Sequence, residues 1–239
     1  MKQKANLIVL AVLLCSLALP VAVVRTVNAQ EGQVTINPTD DTYVDFDNQN
    51  SNYGGQNNLQ VSKYHDSFEN MWEERIWLKF NLSSVPDGAI VDTATLRLYC
   101  SIASETYNVY AHACSDISWT ELTLTWSNMP SYNASSMDTE QVATSYRWYN
   151  WSVTYAVQKA VDGISGGPGI VTIVLLETSF RGLISWVAFN SKESFSYYPE
   201  LTVHWSGQVP EFPSFLILPL FMVATLLAII AYKRKRPPL

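Results

Sequence analysis

Between residues 34 and 205 apolar and polar side chains alternate with a period of two, and this restricts the fold more than any other feature of the chain. In residues 75–82, Ile76, Leu78, Phe80 and Leu82 share one face, while Arg75, Trp77, Lys79 and Asn81 share the other. Ala94, Leu96 and Leu98 alternate with Thr95, Arg97 and Tyr99, and Val109, Ala111 and Ala113 with Asn108, Tyr110 and His112. Successive side chains of a strand point to opposite faces, so such segments bury one face and wet the other. Further strands are expected at residues 34–36, 42–46, 59–63, 122–126, 148–153, 170–176, 184–189 and 201–205. About ten short strands of this kind argue an all-β fold, an antiparallel β-sandwich. One short helix is expected over residues 155–162. Thr154 is placed to cap it, Ala156, Val157, Ala160 and Val161 form its apolar face, and Gly163 ends it. It is expected to plug one end of the sandwich.

The flanks differ. Residues 215–232 carry no charge, and as a helix they would reach roughly 27 Å, enough for a thin bilayer core. Lys233, Arg234, Lys235 and Arg236 follow. Cations beside a span stay in the cytoplasm, which puts the preceding residues outside the cell. A buried core helix is the alternative. At the other end Lys2 and Lys4 precede an apolar stretch over residues 5–24, and Val27-Asn28-Ala29 offers a cleavage site. An uncleaved anchor is the alternative there. The expected organisation is a signal peptide at 1–29, a β-sandwich domain at 30–206, a stiff Gly/Pro linker at 207–214, a transmembrane helix at 215–232 and a basic cytoplasmic tail at 233–239.

The charges are distributed unevenly. Eight cations face all 21 carboxylates between residues 30 and 212, so the exterior domain carries a net charge of −13. Nucleic acid is a poor partner for such a surface, because phosphate binding needs clustered cations. All eight Trp and twelve of the 13 Tyr lie in this domain, which excludes disorder. An exterior domain with Cys100 and Cys114 invites a disulfide. The alternation argues against it. Residues 94–100 and 107–113 read as a hairpin that places the two cysteines roughly 20 Å apart, beyond the limit of about 7 Å for a bridge. Asn81, Asn133 and Asn150 each head an N-glycosylation sequon.

Three groups of residues could carry chemistry. Arg75, Trp77, Lys79, Arg97, Tyr99, Tyr110 and His112 fall on polar strand faces. Flat aromatics stack on sugar rings and cations pair with uronate or sulfate, so this set is the candidate carbohydrate-binding face. An ordinary wet face, or an aromatic layer covered by a loop, is the alternative, and a glycan at Asn81 would obstruct it. Asp40, Asp41, Asp45 and Asp47 could hold Ca²⁺, although they lack the pattern of a dedicated calcium loop and also read as solvated carboxylates. Trp119, Glu121 and Trp126 could form a catalytic acid between sugar platforms, or simply a turn whose tryptophans pack inward. Glycoside hydrolysis needs a second carboxylate that the sequence does not single out. His65, His112 and His204 lack metal-ligand spacing, so no cofactor beyond Ca²⁺ is expected.

A string of motifs runs through the domain. It begins with Asp41-Thr42-Tyr43-Val44 and Asn52-Tyr53-Gly54, followed by Leu59 and Val61. It continues through residues 77–82 and 94–99, Ser118-Trp119-Thr120-Glu121, Thr125-Trp126-Ser127-Asn128-Met129-Pro130 and Trp151-Ser152-Val153-Thr154. Phe189-Asn190-Ser191-Lys192-Glu193 and Pro199-Glu200-Leu201-Thr202-Val203 close it. Across residues 34–205 this order and spacing resemble the DNRLRE family, also classed as carbohydrate-binding module family 96 and related to the disaggregatase repeats of archaeal surface proteins. Lys192 stands where that family often has Arg. Pro210-Glu211-Phe212-Pro213 resembles an archaeal C-terminal sorting signal, after which a lipid would replace the tail. The resemblance implies a jelly-roll sandwich that binds a polysaccharide or envelope glycan at a cell surface, and it supplies no ligand residues. The expected function is non-catalytic binding, adhesion or envelope structure. The alternative is a polysaccharide-degrading hydrolase or lyase.

Overall fold

The computed structural model describes residues 31–65, 70–163, 169–180 and 185–206, together with Thr225. The expected signal peptide, linker, transmembrane helix and basic tail lie outside the described residues, Thr225 apart. Among the described residues no helix is long and apolar enough to cross a membrane.

The strands are β1 (Gly32–Ile36), β2 (Asp40–Asp45), β3 (Asn58–His65), β4 (Met71–Asn81), β5 (Ile90–Ala103), β6 (Tyr107–Cys114), β7 (Ser136–Val142), β8 (Arg147–Ser152), β9 (Ile170–Leu176), β10 (Val187–Asn190) and β11 (Glu200–Ser206), with helix α1 (Thr154–Val161) between β8 and β9. Every pairing is antiparallel. In the front sheet, β5 takes β8 on one side and β11 then β10 on the other, and β1 lies outside β11. In the back sheet the order is β2, β4, β9, β6 and β7. β3 joins the two: residues 58–61 pair with β10 and residues 62–65 with β4. Its buried residues change phase at the same point, from Leu59 and Val61 to Ser62 and Tyr64. The result is one curled eleven-stranded sheet folded into a β-sandwich.

The inward residues of both sheets form one core that includes Ile76, Leu78, Phe80, Leu96, Leu98, Val109, Trp151, Ile173 and Phe189. Helix α1 packs on β5 and β9, one strand from each sheet, and inserts Ala156, Val157, Ala160 and Val161 into that core. The expected plug is therefore present. Gly163 follows the helix at φ 72°, a left-handed conformation that favours glycine. Thr154 does not cap it. Val153 holds the cap position, and the Thr154 hydroxyl accepts from the Ala94 backbone at 2.9 Å, tying the helix to β5.

Two expectations need correction, and one strand was not expected at all. Residues 122–126 form no strand; they belong to a loop over residues 115–135 that contains a 3-10 turn at Trp126–Asn128. β7 was not legible, because Ser136–Val142 is a mostly polar edge strand with little apolar alternation. β5 and β6 make no hairpin, since β5 lies in the front sheet and β6 in the back sheet. Both face the same core, and alternation cannot distinguish a hairpin from a crossing between sheets. Cys100 and Cys114 are nonetheless unpaired, for a different reason. Cys100 points into the main core and Cys114 to the opposite face of the back sheet.

Candidate functional site

The seven residues of the expected binding face divide between two sheets. Arg75, Trp77, Lys79, Tyr110 and His112 point outward from the back sheet, as the alternation required, but most are not wet. The 115–135 loop lies across them. Trp77 is 0% exposed and joins Val44, Cys114, Trp119, Leu124, Val174 and Leu176 in a second apolar cluster. Arg75 pairs with Glu73 at 2.6 Å and covers the Trp126 ring at 4.4 Å. Lys79 pairs with Asp40 at 3.5 Å, lies over the Trp119 ring and donates to the Trp119 carbonyl. His112 is buried with Nδ1 2.8 Å from the Asn133 carbonyl, and Tyr110 is half-buried on the same strand. A buried indole cannot stack on a sugar, so Trp77 is a core residue here. These cations are held by neighbouring carboxylates and rings.

Arg97 and Tyr99 lie on the outer face of the front sheet, where both are half-buried and, among the described residues, no loop of the 115–135 kind seals them off. The Tyr99 ring stacks on Tyr197 with centroids 4.4 Å apart and planes inclined by 17°. Trp148, directly across from Tyr99 on β8, meets it edge-on at 5.6 Å. The Arg97 guanidinium lies 4.6 Å from the Trp148 ring centroid and 3.2 Å from Glu200. Tyr197 is 53% exposed and adopts φ 58°. For a bulky residue this left-handed conformation is uncommon and costs roughly 1–2 kcal/mol. Stacking on Tyr99 offsets part of that cost and holds the ring outward. Phe195, on the same turn, is 98% exposed. The arrangement is an aromatic platform with one cation and one carboxylate at its edge.

Trp148 was not among the expected site residues, although its alternation with Tyr149 and Trp151 in the expected 148–153 strand was the signal that could have found it. Tyr197 had no such signal, because the turn that carries it has no period. Asn150 faces Arg97 across the β5–β8 ladder, so a glycan there would cover part of the platform. Asn81 is exposed at the end of β4. Asn133 opens into a groove of about 470 Å³ lined also by Tyr132, Tyr155 and Lys159, which a glycan would fill.

The acidic stretch does not gather into one site. Asp40 turns outward to Lys79, while Asp45 accepts from the Tyr53 hydroxyl at 3.0 Å and from Asn48 at 2.7 Å. Asp47 is exposed. Among the described residues, only Asp41 of the four joins a group able to hold a metal, and its companions are Glu121 and Glu193. These three come from motifs far apart in sequence. The same junction holds Asn52, whose amide donates to the Glu121 and Leu124 carbonyls, and Ser191, whose hydroxyl donates to the Gln56 carbonyl at 2.6 Å. The Lys192 ammonium bridges Glu121 at 2.9 Å and Glu193 at 2.5 Å. Burial alone would lower its pKa; the two carboxylates overcome this and raise it. Burial raises Asp41 to about 8, against the pull of a hydrogen bond from the Lys192 backbone. Glu121 is thus bound in an ion pair, and Trp119 and Trp126 pack with the second cluster around Trp77. The turn with inward tryptophans is the reading that this geometry supports.

Residues 32–204 match the family model of carbohydrate-binding module family 96. No curated protein matches the chain. The matched span covers most of the chain, and the chain belongs to that family.

Proposed function

We propose that this member of carbohydrate-binding module family 96 binds a polysaccharide without cleaving it, through the Tyr99–Trp148–Tyr197 platform. The observation that carries this is a stacked tyrosine pair, exposed Tyr197 on half-buried Tyr99, beside a half-buried tryptophan on an otherwise polar sheet face. Aromatic faces of this kind bury the apolar faces of pyranose rings. With Arg75 and Lys79 committed to carboxylates, Arg97 is the cation that the described residues place against the platform rings, and it already meets Glu200. The domain carries −13, so a neutral chain approaches without repulsion. We further propose that the protein is exported and tethered, with the sandwich outside the cell, on the strength of the uncharged 215–232 run and its following cations. A lipid anchor after Pro210-Glu211-Phe212-Pro213 serves the same end.

A glycan array with the detergent-solubilised full chain tests the binding reading. Tyr197→Ala and Trp148→Ala are each expected to weaken retention of a neutral glycan by about 1 kcal/mol, roughly fivefold, with no sugar released. Retention should change little with added salt. Unchanged retention in both folded variants removes the platform as the site, and released product supports an enzyme instead. Protease added to intact cells should degrade the domain; full protection refutes the tethered topology.

A further inference from the structure

Asp41 presents an unsolved polar contact at the junction of three chain segments. Its Oδ2 accepts from the Lys192 backbone at 2.8 Å, whereas Oδ1 is buried with no hydrogen-bond partner. The residue is 1% exposed. Glu193 Oε2 is likewise buried without a partner. An ionised carboxylate oxygen can only accept, so two such atoms in one place call for something positive: a proton shared between Asp41 and Glu193, or a cation. Carboxylate oxygens of Asp41, Glu121 and Glu193 lie within 4.8 Å of one another. Two oxygens on opposite sides of a calcium ion stand about 4.8 Å apart, from a metal–oxygen distance of about 2.4 Å. With all three acids ionised, Lys192 supplies one positive charge against three negative ones, a balance that a divalent cation would complete.

We propose that Asp41, Glu121 and Glu193 bind one divalent cation, calcium, beside the Lys192 ammonium. All the donors are oxygen, which suits a hard cation and disfavours zinc or copper. They come from β2, the 115–135 loop and the turn after β10, three separate segments with no octahedral frame. That adaptable geometry suits calcium better than magnesium. The Glu121 and Glu193 side chains are 17% and 24% exposed, so the ion has a path in and room for water ligands. The bound ion would tie the covering loop to the sandwich and complete a junction that one ammonium leaves short of charge. The site shares only Asp41 with the acidic stretch singled out in the sequence, and it stands whether or not the aromatic platform binds sugar.

The test is calcium titration of the full-length protein after EDTA treatment, read by calorimetry and by thermal midpoint, with magnesium as comparator. One calcium per chain is expected, with a raised midpoint and at least tenfold preference over magnesium. Asp41→Asn and Glu193→Gln should each weaken calcium binding tenfold or more, and Asp47→Asn, outside the group, should not. Should Asp41→Asn fail to fold, the more exposed Glu193 decides. A folded wild type that neither binds calcium nor gains stability from it overturns the proposal. So does equal binding by the wild type and Glu193→Gln. A midpoint that responds to pH but not to calcium points to a shared proton at the junction and also overturns it.

Discussion

Glu74 stands directly across from Asp45 on β4 and β2. Burial raises its carboxyl to about 7; the nearby Asp45 charge adds to this, and a Ser62 hydrogen bond opposes it. Between the ordinary glutamate range and about pH 7 the unfolded chain releases this proton while the folded chain keeps it. The contribution of Glu74 to stability is therefore full at pH 4 and falls as pH rises to about 7. Glu74→Gln keeps the shape and removes the charge. The variant should match the wild type at pH 4 and exceed it by about 1 to 3 kcal/mol at pH 8, read from urea unfolding at both pH values. An equal difference at the two pH values would show that Glu74 is ionised in the fold. Trp77 teaches a related lesson. Its place on the outward side of β4 was readable, but its exposure depends on what lies above it. Truncation to alanine should cost about 3 to 5 kcal/mol, as for a core aromatic, where a wet-face residue would cost little.

At the scale of elements, the 115–135 loop turns the outer face of the back sheet into a second core. Local hydrogen bonds hold it at the Asn52-Tyr53-Gly54 motif. Asn52 donates to the Glu121 and Leu124 carbonyls, and Gly54 approaches so closely that a Cβ there would lie 2.1 Å from the Glu121 carbonyl oxygen. That neighbour is backbone and cannot rotate away. Gly54→Ala should therefore lift the loop, lower stability by about 1 to 3 kcal/mol and speed amide exchange at residues 119–124. Unchanged exchange there would mean that the loop is held from its other end. The motif residues Asp41, Asn52, Gly54, Glu121, Ser191, Lys192 and Glu193 meet at this junction. Their shared work in the fold is to fasten loops to the sandwich.

Over the whole molecule, the back sheet separates the two cysteines. Cys100 faces the main core and Cys114 the second cluster, and burial raises both thiols to about 11. Neither should react with a thiol reagent in the native protein at pH 8, and both should react after unfolding without reductant. A third reactive thiol in the unfolded protein would come from Cys15 and show that residues 1–29 are retained. Loss of both thiols would contradict their placement on opposite faces.

The alternation of side chains by itself determined that the chain is an antiparallel β-sandwich, because the period of two is a property of each strand alone. The same local rule placed Ile76, Leu78 and Phe80 inward, Arg97 and Tyr99 outward, and α1 between two β-strands. Only the tertiary structure decided which outward faces meet water. A loop covers Trp77 and His112 while Tyr99, on the other sheet, stays half-exposed, and no period in residues 115–135 announces where that loop will lie. Pairing between strands far apart in sequence likewise put β5 and β6 in different sheets, brought Tyr197 onto Tyr99 and joined Asp41 to Glu121 and Glu193. Those contacts depend on how the sheet curls at β3, and the curl is set by the packing of the whole core.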